Sequence, residues 1–190
     1  MPVGHETTAS VGYRMLVSKV SDNLCTQYRG FPYHEPPAQT AMTRQSLLHA
    51  PPPACAVETP ERVRWSDSDP FGIIYYGAYI RLFQVGEEEL FRAAGLPFRE
   101  LRLGRGVWIP RKALEMEFHS PAELDEAVVI RSWFARIGRT AITIRFDVHR
   151  AEDLLHRASG ALTVVSVHKE SMTPQPLPDD VRERLLRLSA

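Results

Sequence analysis

The chain has 190 residues, with 23 basic and 23 acidic side chains and a formal net charge of zero. Apolar residues make up 44% and charged residues 24%, the balance of one water-soluble globular domain, and a neutral chain gives no reason to expect a nucleic-acid or membrane-surface partner. No apolar run approaches the roughly 18 residues that span a bilayer, Met1–Glu6 has no basic and apolar regions of a secretory signal, and Cys25 and Cys55 form no CxxC pair, so a reducing cytoplasm is the expected setting.

Residues 1–56 read as a mobile proline-rich extension. Seven of the 15 prolines fall there, including Pro51-Pro52-Pro53, and no periodicity persists for any useful length. Its few apolar residues do not offset the entropy of ordering it. Val11–Val20 is a candidate for a brief helix or strand, and Met42 is an alternative natural first residue.

The domain is expected over residues 57–190. Arg62–Trp65 reads as a short strand. Tyr75–Ala94 then carries Tyr79, Leu82, Phe83, Leu90 and Ala93 at near-helical spacing, a helix of about five turns that Gly95 and Pro97 end. Within it Glu87-Glu88-Glu89 reads as a solvated face, with Glu88 or Glu89 a minor candidate for a helical catalytic carboxylate. Strands are expected at Val107–Phe118, at Val128–Ile137 and Ile142–His149, which are joined as a hairpin through Gly138, and at Ala158–His168. Asp179–Leu188 closes the chain as a helix with Val181, Leu185 and Leu188 on one face. One long helix followed by long antiparallel strands must bury the helix against the sheet, so the class is α+β.

Function is concentrated in Arg64-Trp65-Ser66-Asp67-Ser68-Asp69-Pro70-Phe71-Gly72-Ile73-Ile74-Tyr75-Tyr76. Asp67 and Asp69 stand just before the long helix, whose first N–H groups have no intrahelical acceptor and whose dipole favours negative charge there. One aspartate could simply cap the helix. With both used, free N–H groups polarise a carbonyl while a carboxylate attacks it or activates water. No histidine or third carboxylate lies nearby at metal-ligand spacing, no Gly-x-Ser-x-Gly or Walker loop occurs, and His119, His149, His156 and His168 read as strand or turn residues.

This run closely resembles the signature of hot-dog-fold acyl-CoA thioesterases of the 4-hydroxybenzoyl-CoA thioesterase family. The resemblance continues in Phe118-His119-Ser120-Pro121-Ala122 and Thr173-Pro174-Gln175-Pro176-Leu177-Pro178 and covers roughly residues 60–185. It implies a long central helix wrapped by an antiparallel sheet, an acyl-CoA substrate, no cofactor, and a homodimer or homotetramer with a site between subunits. Residue by residue, Asp69 matches the catalytic carboxylate, Asp67 a structural position, Gly72 a point of close backbone approach, and Tyr76 the residue whose backbone N–H polarises the thioester. Tyr76 is a histidine in relatives of the Tol–Pal-cluster type and a tyrosine in the hydroxybenzoyl-CoA branch. Tyr75 joins this set. Trp65, Trp108 and Trp133 are expected in the core or an interface, with Trp108 a candidate for the acyl pocket; Arg136 and Arg139, with Arg111 and Lys112, are candidates for the coenzyme A phosphates. Hot-dog domains also serve as non-catalytic acyl-CoA or acyl-carrier-protein binding modules, which is the alternative reading.

Overall fold

The computed structural model describes residues 14–20 and 51–189. Five strands, β2 (Val57–Arg62), β3 (Arg111–Phe118), β4 (Ala127–Ile137), β5 (Ala141–Arg150) and β6 (His156–Val165), pair antiparallel in the order β3-β6-β5-β4-β2. Helix α1 (Tyr76–Ala93) lies across this sheet and α2 (Asp179–Leu188) follows the last strand. This is the expected α+β, hot-dog arrangement of a sheet wrapped round one helix.

Alternation along the strands decides which face meets the helix. In β5, Ile142, Ile144, Phe146 and Val148 are buried toward α1, while Thr143, Arg145, Asp147 and His149 take the other face. From α1, residues three and four apart point back at the sheet, including Tyr79, Leu82, Phe83, Leu90 and Phe91. Phe83 stacks on Phe146 with ring centroids 4.9 Å apart, and Phe91 meets Phe134 edge-on at 5.3 Å. Burying side chains of this size stabilises the domain by about 1.5–3 kcal/mol each. Gly86 permits the close approach of helix to sheet, because a Cβ there would fall 2.4 Å from Ser132 Oγ and 2.8 Å from Ile130 Cγ2. α1 stops where expected, with Gly95 in the left-handed region at φ 69°. Val181 and Leu185 bury one face of α2, and Arg184 Nη1 donates to Gly95 O at 3.1 Å.

Several boundaries move. The first strand of the domain lies at Val57–Arg62 rather than Arg62–Trp65; Trp65–Asp67 forms a 3-10 turn, and Trp65 is 82% exposed, not a core residue of this chain. The strand expected from Val107 begins at Arg111, after a π-helical segment at Glu100–Gly104. The last strand runs His156–Val165, two residues early and three short. Arg14–Val20 (β1), inside the stretch read as an extension and within its Val11–Val20 candidate for a brief helix or strand, forms a strand parallel to β3 at the sheet edge.

On the sheet face away from α1, register collects side chains distant in sequence. Ring centroids of His119 and His156 lie 4.0 Å apart and those of His149 and His156 4.6 Å apart. Ser159, beside them, donates to Asp147 Oδ1 at 2.8 Å. Burial lowers the His149 pKa, and His156 adds to the effect. Among the described residues no helix is long and apolar enough to cross a membrane.

Candidate active site

The two aspartates have different jobs in the turn before α1. Asp67 is buried at 3% exposure. Arg81, one turn into α1, donates from Nε to Asp67 Oδ1 at 2.9 Å and from Nη2 to Oδ2, and the Arg64 N–H donates to Oδ2 at 2.9 Å. Burial opposes ionisation of Asp67, but the Arg81 guanidinium and the Arg64 N–H outweigh it and hold the carboxyl below its ordinary 3.8. The same arginine reaches Glu61 Oε2 at 3.3 Å and the Arg62 carbonyl at 3.3 Å. One guanidinium thus ties the end of β2, the turn and the helix together.

Asp69 is half-buried and carries little of that load. Its Oδ1 accepts the Phe71 N–H at 2.8 Å, closing a local Asx turn, and Oδ2 accepts nothing among the described residues. The backbone around it is fully spent: Asp69 N–H to Ile73 O at 2.9 Å, Gly72 N–H to Asp69 O at 3.0 Å and Tyr75 N–H to Asp67 O at 3.0 Å. Gly72 makes the reversal at φ 77° with open space where a Cβ would be. A side chain there would be strained by the positive φ.

The helix start itself is bare. Tyr75 is the N-cap residue and no side chain caps α1, so neither aspartate serves as a simple cap. The Ala78 N–H bonds Tyr75 O at 3.0 Å, while those of Tyr76 and Gly77 meet no acceptor among the described residues. Tyr75 and Tyr76 are 42% and 63% exposed, with rings edge-on at 6.2 Å. The Ile74 N–H donates to Ala122 O at 2.9 Å, so the Pro121-Ala122 segment braces the aspartate turn. Two segments singled out in the sequence therefore meet in space.

The remaining candidates lie elsewhere. Trp108, Arg111, Arg136 and Arg139 lie toward the opposite end of α1, whose 18 residues rise about 27 Å, on separate strands and loops. Trp108 and Arg111 line a cavity of about 430 Å³ there, with Phe98, Leu101, Ile109 and Met172. Arg136, next to last in the β4 ladder, pairs with Thr143; Arg139, in the β4–β5 turn, is exposed and its carbonyl accepts the Leu177 N–H at 2.8 Å. Lys112 is exposed on β3. One copy of the chain does not bring these residues to Asp69.

One carboxylate escaped the sequence reading. Glu87 is not on a solvated face; it is 2% exposed and accepts from Arg111 Nη2 at 2.7 Å. Its Oε1 is buried without a hydrogen-bond partner. Burial pushes its carboxyl above the ordinary 4.5, with Arg111 pulling the other way. Glu88 and Glu89 are half-buried; Glu88 accepts from Gln84 and Glu89 from Arg92. The signal was spacing: Tyr79, Phe83, Glu87 and Leu90 continue one helical stripe. Among the described residues no group of histidine, cysteine and acidic side chains could hold a metal ion.

Comparison with known proteins bears on this geometry. The model of the thioesterase-like superfamily matches residues 63–185. The acyl-CoA thioester hydrolase YbgC of Escherichia coli is 26% identical over 122 residues, 64% of this chain and 90% of that protein. A thioesterase-superfamily structure from a Jannaschia species is 30% identical with a TM-score of 0.68, covering 74% of this chain and 97% of its own. The 4-hydroxybenzoyl-CoA thioesterase of a Pseudomonas species shares the fold at a TM-score of 0.62 and 23% identity, over 68% of this chain and 98% of its own. The matched span begins at Val63, takes in the aspartate turn, α1 and the sheet through β6, and ends in α2: the chain belongs to the thioesterase-like superfamily.

Proposed function

We propose that the chain hydrolyses acyl-CoA thioesters to a free carboxylic acid and coenzyme A in the cytoplasm, with Asp69 as the reacting carboxylate. The observation that carries this reading is the pairing of an uncapped helix start with Asp69 Oδ2, which accepts no hydrogen bond among the described residues. The thioester carbonyl oxygen would rest on the N–H groups at Tyr76 and Gly77, where the helix field favours the charge that develops on it. Asp69 then attacks the carbonyl carbon, giving a mixed anhydride that water opens, or takes a proton from the water that attacks. In both routes the carbon–sulfur bond breaks and the thiolate leaves as coenzyme A. Gly72 leaves the approach open, and Tyr75 flanks it.

The other half of the site comes from a second copy. Asp69 and the set Trp108, Arg136 and Arg139 stand at opposite ends of α1, so a two-fold arrangement would lay the helix start of one chain beside the far end of its partner. Trp108 then meets the acyl group, and the arginines meet the coenzyme A phosphates. The active form is a homodimer or a dimer of dimers with two equivalent sites per pair. Spectrophotometric thiol release from aromatic and aliphatic acyl-CoAs tests the reaction and narrows the substrate; binding without thiol release would favour a non-catalytic module. Light scattering with activity across a dilution series tests the shared site, and a fully active monomer would overturn it.

A further inference from the structure

The cavity at the far end of α1 has a chemistry of its own. Its wall is apolar and aromatic, from Phe98, Leu101, Trp108, Ile109 and Met172, and its lining contains two arginines, Arg102 and Arg111, and no carboxylate. Arg102 stands 5.1 Å from the Trp108 ring centroid, and the Lys169 ammonium stands 5.6 Å from the same ring. Arg111 lies 5.6 Å from the Phe98 ring. Its side chain is 48% exposed although its partner Glu87 is 2% exposed.

That pairing is asymmetric. A buried carboxylate is expensive to keep, and a pair serving only to tie β3 to α1 would be expected to close both oxygens on the guanidinium. Here Arg111 spends one N–H on Glu87 Oε2 and Glu87 Oε1 stays unbonded. Arg111 is held from beneath by the helix, and its other donors make no hydrogen bond among the described residues. A guanidinium fixed in this way and flanked by an aromatic wall suits a planar anion attached to an apolar body. At about 430 Å³ the cavity falls in the size class of small-ligand sites.

We propose that this cavity binds a small apolar carboxylate, its body against Phe98, Leu101 and Trp108 and its carboxylate on Arg111, with Glu87 orienting the guanidinium. The site shares Trp108 with the acyl position of the proposed function, so a bound carboxylate competes with the acyl group there, but its own binding does not depend on Asp69 being catalytic. Phenylacetate and hexanoate are suitable probes, with phenylacetamide and hexanamide as their neutral counterparts.

Calorimetry on the full chain, alongside Trp fluorescence, reads the binding directly. Each carboxylate should bind at least about tenfold more tightly than its amide, less so at high salt. Arg111→Gln should bring acid and amide to within about twofold, and Arg111→Lys, which keeps the charge without the fork, should recover only part of the difference. Glu87→Gln should weaken the acids several-fold in a protein that stays folded, because the guanidinium loses a charged anchor. Arg187→Gln, on the exposed face of α2, should change nothing. Equal binding of acid and amide, no binding of either, or full affinity in Arg111→Gln or Arg111→Lys would each overturn the proposal.

Discussion

The turn before α1 and the second half of α1 each carry a buried carboxylate paired with an arginine, and the pairs are built in opposite ways. At the helix start, Asp67 accepts from Arg81 with both oxygens and from a backbone N–H, and its carboxyl is held below the ordinary range. Toward the other end, Glu87 is just as buried but accepts through one oxygen only, and burial pushes its carboxyl up. Burial alone therefore does not tell what a buried charge is for. A carboxylate with both oxygens engaged acts as a fastener; one with a single oxygen engaged leaves part of its charge unmatched.

The comparison breaks first at Asp67. Asp67→Ala strands Arg81 and should cost about 3 kcal/mol of unfolding free energy, read by urea titration at neutral pH. Because the Asp67 carboxyl lies below 3.8 in the folded state, its contribution is present above that value and is lost as pH falls through the folded value, so the cost of the substitution shrinks in acid. A variant as stable as the wild type at pH 7 would remove Asp67 from its fastening role.

Glu87 sharpens the contrast through the opposite sign. Its folded carboxyl lies above 4.5, so its contribution to stability is present below that pH and is lost as pH rises through the folded value. Glu87→Gln should therefore melt at the same temperature as the wild type near pH 4 and up to a few degrees higher at pH 7. A large loss of stability at pH 7 would mean that the ion pair fastens the core as Asp67 does.

The smallest effect is expected from the N-terminal stretch. Removing residues 1–55 should leave activity within about twofold and the melting temperature within a few degrees, since the family match begins at residue 63. Aggregation or lost activity in the truncated chain would mean that β1, paired along β3, is needed to cover that edge.

Much of this architecture was legible because the physics is local. Ile142 to His149 alternates over a full strand, and Tyr79, Leu82, Phe83 and Leu90 mark a helix that Gly95 and Pro97 close. β2 was misplaced because it is an edge strand with Pro60 inside it and Thr59 as its single buried residue, which leaves little alternation to read. Val107–Pro110 extended the apparent β3 because its residues are apolar, yet they line a cavity and join the sheet only through isolated bonds from Val165 and Val167. Glu87 was hidden in a run of three glutamates, where polarity outweighed its place on the buried stripe. The histidine group at 119, 149 and 156 depends on the β5–β6 register and on the chain leaving β3, which no local pattern specifies. Asp67 and Asp69 were singled out together, but their division of labour rests on Arg81, fourteen residues beyond Asp67.

Thiol release by Asp69→Asn tests the central claim most directly. The substitution keeps the shape and the Asx-turn oxygen but removes the charge that both routes need. With an acyl-CoA that the wild type hydrolyses, and at an unchanged melting temperature, turnover should fall by at least about 10²-fold. Turnover near the wild-type rate in a folded Asp69→Asn protein would contradict the account.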